Sequence, residues 1–162
     1  MKRGEKLTLA VIAVSALLLT GRDYIASRSE VGPDKGIPFY STAPQKLTHE
    51  ATLLYEKNDC KDCHSLWTVR DMLQSVPAPM LDGIGSLHDE EWFYKYFSAP
   101  DPQSILPSRL KKKYRMPSLA KLPENERRTL AAYMASLKVK DWYLEDTRKS
   151  EYEKLTGKDY HP

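Results

Sequence analysis

The sequence predicts an all-α domain, and three observations carry that prediction. Apolar residues recur at helical spacing in separate segments, no β-rich run or internal repeat is present, and Pro outnumbers Gly (11 against 7) in the irregular stretches between. At 162 residues with 10% aromatics, the chain has room for one modest core plus appendages. Its formal net charge of +3 is too mild for nucleic acid, and no basic stripe interleaves with aromatics, so no nucleic-acid partner is expected.

The chain opens on "MKRGEKLTLAVIAVSALLLTGRDY", in which Lys2, Arg3 and Lys6 precede an apolar run from Leu7 to Leu19. That is the profile of an export signal. A spanning helix needs about 20 apolar residues, so the short run favours a cleaved signal. Against cleavage, no small-x-small site follows, because Arg22-Asp23 succeed Gly21. Extension to Ala26 with Tyr24 at the interface and Arg22 snorkelling favours a retained anchor. Residues 1–26 therefore read as membrane anchor or signal, with everything after them on the periplasmic or extracytoplasmic side. Residues 27–47, with Pro33, Pro38 and Pro44 and little periodicity, read as an extended tether.

The compact domain is expected over 48–138. Thr48-His49-Glu50 supplies a cap and an early acid for a first helix, with Ala51, Leu54 and Tyr55 as its apolar face. "EWFYKYF" at 91–97 gives a second, stopped by Ala99-Pro100. A third starts with Pro123 at its first helical position and Glu124 and Glu126 in its first turn. Its apolar face is Leu130, Tyr133, Met134 and Leu137, spaced i, i+3, i+4, i+7. The tail, 139–162, mixes five basic and six acidic residues with several aromatics. A further helix around Trp142–Leu155 is expected there, either solvated or docked on a partner subunit.

The only two cysteines fall in "NDCKDCH", as Cys60 and Cys63, followed at once by His64. Cys-x-x-Cys-His is the attachment signature of c-type haem. Two thiols one helical turn apart can each add to a vinyl group of one porphyrin, and the next residue is aimed at the iron from the same side. Zinc would lack a fourth ligand. A thioredoxin-like dithiol would want a strand before the motif, where "HEATLLYEKND" reads as helix. A structural disulfide is the remaining rival. A six-coordinate haem needs a second axial ligand, usually Met or His. Met116 is the preferred one, because it follows the polar loop "SRLKKKYR" and precedes a stiffening Pro117; Met80 and His88 are the alternatives. Met72 lies too near His64 to reach the opposite face, and Met134 reads as core.

Together "CKDCH", "APMLDGIGS", "EWFYKYF", "RMPSL" and "LAAYMASLK" resemble the class I c-type cytochromes over roughly 48–138. The resemblance implies a small cytochrome c fold around one covalent haem c, with Pro79 offering its carbonyl to His64, Leu81 packing on the haem face and Met116 on iron. It also implies that the first and third helices cross, with Ala51 where a Gly is usual. The layout of one anchor, one haem and a charged aromatic tail is similar to the cytochrome c subunits of bacterial nitric oxide reductase and haem-copper oxidase complexes. The expected role is one-electron transfer rather than catalysis, in a respiratory or other redox complex. A soluble carrier after signal cleavage is the alternative, as is a haem enzyme or sensor if the Met ligand is labile. Redox partner proteins, in particular a membrane oxidoreductase complex, are the expected partners. Arg109, Lys111, Lys112, Lys113 and Arg115 are expected to ring the haem crevice, either as a solvated loop or to steer an acidic partner.

Overall fold

The computed structural model describes residues 35–67, 76 and 78–162, together with positions 4, 13–15, 17, 18 and 21 near the start. The chain divides into two units, Met1–Ile37 and Pro38–Pro162. In the first, the described positions from 4 to 21 are helical. Most of the expected membrane segment and residues 27–34 of the tether lie outside the described residues, as does Met72. Among the described residues no helix is long and apolar enough to cross a membrane.

The second unit begins with strand β1 (Phe39–Ser41) and helix α1 (Gln45–Lys57), continues through helix α2 (Glu90–Ser98), helix α3 (Glu124–Ser136) and strand β2 (Leu137–Val139), and ends with helix α4 (Leu144–Thr156). Short 3-10 turns at Cys60–Asp62, Ile84–Ser86, Pro102–Ser104, Lys112–Tyr114 and Asp141–Tyr143 punctuate the connections.

Helix α1 starts three residues before the expected Thr48. Pro44, with φ −65° and ψ 154°, occupies the cap position, and the Thr48 hydroxyl bonds back to the Pro44 carbonyl at 3.3 Å. Thr48 therefore lies inside the first turn rather than capping it. The helix buries Ala51, at 0% exposure, and Tyr55. In α2, Asp89 is the cap, accepting from the Trp92 amide at 2.7 Å, and Phe93 and Phe97 point into the core. Pro123 stands just outside α3, since its ψ of 147° is extended rather than helical. Leu130, Ala131, Tyr133 and Met134 form the buried face of α3, which packs against both α1 and α2.

A small antiparallel sheet departs from the all-α expectation. β1 pairs with β2 in the register Phe39↔Val139, Tyr40↔Lys138, Ser41↔Leu137. Helix α3 stops at Ser136, whose hydroxyl donates to the Tyr133 carbonyl at 2.6 Å. Leu137 and Val139 then face inward with Lys138 between them only half-buried, a period of two over three residues. So short an alternation carries no usable signal, and its partner strand lies in the segment expected to be tether.

The tail forms the further helix expected there, and that helix is packed on its own unit rather than standing wholly solvated. Helix α4 ends at Gly157, whose φ of +68° is the left-handed stop that suits Gly. It buries Thr147 and is hydrogen-bonded to the body of its own unit through His88 and Arg109.

Candidate functional site

Helix α1 ends at Lys57 and the chain reverses through Asp59, which adopts a left-handed φ of 52°. The 3-10 turn that follows closes with the His64 amide donating to the Cys60 carbonyl at 2.9 Å and the Cys63 amide at 3.3 Å. This winding brings both thiols and the histidine onto one wall of a cavity of about 330 Å³. The Tyr55 hydroxyl donates to the His64 carbonyl at 2.8 Å, tying the turn back to α1. Both cysteines are half-buried, and no disulfide joins Cys60 to Cys63, so that alternative is not realised. Burial, reinforced by Asp59 and Asp62, pushes the Cys60 thiol up to about 11; Cys63 is raised by burial and then by Asp62. Both stay protonated near neutrality.

The His64 ring is aimed by the backbone of Pro79. Its Nδ1 lies 2.8 Å from the Pro79 carbonyl oxygen. A carbonyl only accepts, so Nδ1 carries the proton and Nε2 keeps its lone pair, the tautomer a metal ligand needs. Burial lowers the His64 pKa, opposed by the Pro79 hydrogen bond, which further favours the neutral ring. The chain around Pro79 is held near His64 because the Leu81 amide donates to the Ser65 carbonyl at 3.0 Å.

Pro79, Leu81 and Met116 line the same cavity as Cys60, Cys63 and His64. Met116 packs against the core, and its carbonyl accepts from Gln103 Nε2 at 3.2 Å, which steadies the loop. Of the alternative ligands, Met80 is not among the cavity residues. His88 is, but its Nε2 is engaged by Glu151 at 2.8 Å. Met134 also borders the cavity, from its place in the core. Trp92 and Leu119 contribute apolar wall, and Trp92 stacks on both His88 and Tyr96.

The basic loop divides into parts. Arg115 and Tyr114 border the cavity, while Lys111, Lys112 and Lys113 are exposed. Arg109 turns to the tail instead, its Nε donating to the Lys154 carbonyl at 3.2 Å. Sequence reasoning missed Tyr55 as a support of His64, and missed Glu151, Lys154 and Leu155 on the cavity wall. Tyr55 was legible only as core, and the tail residues carry no motif.

The residues suit a covalently held porphyrin. Cys60, Cys63, a histidine of the right tautomer and Met116 all line one cavity, and the enclosure is predominantly apolar. Residues 30–138 match the family model described as Cytochrome c, while no curated protein and no solved structure matches the chain. The match spans more than half of the chain and includes both thiols, His64 and Met116. The chain therefore belongs to the cytochrome c family, whose members carry covalently attached haem c and transfer electrons.

Proposed function

We propose that this protein transfers single electrons with a haem held axially by His64 and Met116, as a membrane-anchored cytochrome subunit of a respiratory or other redox complex. The observation that carries the reading is the shared cavity: His64, its Nδ1 committed to Pro79, borders the same space as Met116. The haem supplies one-electron exchange between ferric and ferrous iron. The chain's own residues do the rest. Cys60 and Cys63 would tether the haem covalently, Pro79 and Tyr55 hold His64 in orientation, and His64 and Met116 would supply its protein ligands. Leu81, Trp92 and Leu119 keep water out. Low polarity disfavours the extra charge of the oxidised state, and a thioether ligand favours reduction over a second imidazole.

The membrane role is supported by the basic end and the apolar run from Leu7 to Leu19. The layout resembles the cytochrome c subunits of nitric oxide reductase and haem-copper oxidase complexes. The exposed Lys111, Lys112 and Lys113 offer positive charge to an acidic redox partner.

A potentiometric titration tests the ligation. Met116→His should keep the covalent haem and lower the midpoint potential. An unchanged potential refutes Met116 as ligand. Washed membranes test the anchor: retention until detergent is added, with co-purification of a larger oxidoreductase, supports it, and release by salt alone overturns it.

A further inference from the structure

One wall of the cavity comes from outside the family-matched segment. The match ends at residue 138, yet Glu151, Lys154 and Leu155 of α4 border the same cavity as Cys60, His64 and Met116. With the buried Thr147 they fall at i, i+4, i+7 and i+8, which is one face of a helix. That face is tied down at two points. His88 Nε2 and Glu151 Oε1 meet at 2.8 Å, with side-chain exposures of only 18% and 17%. His88 is in turn stacked on Trp92 of α2 with ring centroids 3.8 Å apart, so this latch rests on an aromatic wall of the cavity. At the second point, Arg109 uses its backbone amide on the Leu155 carbonyl at 3.4 Å and its Nε on the Lys154 carbonyl at 3.2 Å. A Cβ on Gly157 would meet the Arg109 side chain at 2.8 Å, so the stop residue of α4 also makes room for this tie.

Arg109 and Met116 belong to one connection, between the turn Pro102–Ser104 and α3. The tail is therefore fastened to the segment that carries the proposed axial methionine.

We propose that α4 is part of the haem-binding site: a latched cover that closes one side of the cavity and steadies the Met116 loop through Arg109. The proposal rests on the His64/Met116 reading. Without the cover, water and small anions gain access to the cavity, and Met116 yields its place to an external ligand more easily. Glu151 acts here as a positioning residue through His88.

The test uses the full-length protein with haem attached, and cyanide as the probe of the ferric iron. Three variants loosen the cover: Glu151→Gln weakens the latch, Arg109→Ala removes the loop tie, and Leu155→Asp places a charge on the buried face. Arg148→Ala, on the exposed side of α4, is the control. Losing a charge-assisted contact should raise the rate of cyanide binding about tenfold in the first two variants. Arg148→Ala should leave it unchanged. Leu155→Asp should give a larger increase with α4 intact by circular dichroism; if it does not fold, the other two variants decide. Wild-type cyanide rates in Glu151→Gln and Arg109→Ala, with the covalent mass and the methionine–iron absorption band both intact, overturn the cover and leave the ligation standing. A wild-type protein lacking the methionine–iron band overturns the ligation itself, and the cover proposal with it.

Discussion

Replacing Gly85 by Ala tests how the cavity is anchored to the core, because two effects of opposite sign compete there. Gly85 lies in the turn Ile84–Ser86, and its backbone is not in the left-handed region. If nothing stood beside it, Ala would stabilise the fold by about 0.4–1 kcal/mol through the unfolded chain's lost freedom. A Cβ here, however, would lie 2.3 Å from the Ala135 carbonyl oxygen and 2.5 Å from that of Met134. Both are backbone atoms at the end of α3 and cannot swing aside. The turn must retreat, straining the bond from Lys138 Nζ to the Gly85 carbonyl and that from the Val139 amide to Ser86 Oγ at 3.0 Å. Overpacking costs about 1–3 kcal/mol and each weakened hydrogen bond about 1 kcal/mol; less the gain of about 0.4–1 kcal/mol, a net loss on the order of 2–5 kcal/mol is expected. That is a large share of the ~5–15 kcal/mol typical of a domain. Denaturant unfolding of wild type and Gly85→Ala, followed by circular dichroism with equal m-values, gives the difference directly. A variant as stable as wild type, or more so, refutes the close approach of this turn to α3.

Three further predictions follow from the same geometry. Tyr55→Phe removes the hydroxyl that donates to the His64 carbonyl and should cost about 1 kcal/mol in unfolding free energy while leaving haem attachment intact; no change would mean the bond is idle. Burial pushes the Tyr96 phenol up to about 12 and raises Tyr55 further still, whereas an unfolded phenol ionises near 10. Protonated phenols thus favour the fold fully below about pH 10, and that contribution is lost as pH rises toward 12, so the denaturant midpoint should drop between about pH 10 and about pH 12; a flat profile contradicts the burial of these rings. Charge reversal of Lys111, Lys112 and Lys113 should slow electron exchange with an acidic partner and flatten its dependence on ionic strength, and wild-type rates that ignore salt would exclude steering by this loop.

The parts of the fold legible in the sequence are those written in local patterns. The face of α3 and the core of α2 follow from apolar spacing, and the Cys-x-x-Cys-His turn from its motif. Thr48 misled because a hydroxyl beside an acid looks like a cap, while Pro44 three residues earlier had already set the entry to the helix. The β1–β2 pair was invisible because each strand is three residues long and its partner is remote. Most opaque was the tail. Helix α4 is polar around most of its circumference, and the residues that meet the cavity include Glu151 and Lys154, which in sequence resemble ordinary solvated charges. Their burial depends on His88 and Arg109, each more than forty residues away.

The central claim is that His64 and Met116 together hold the iron. Its most direct test is the absorption spectrum of the oxidised, haem-loaded protein, compared with that of Met116→Ala. A methionine-to-ferric-iron charge-transfer band is expected in the wild type and absent from the variant, with the haem covalently attached in both. A wild-type spectrum without that band, or a Met116→Ala spectrum that retains it, contradicts the assignment.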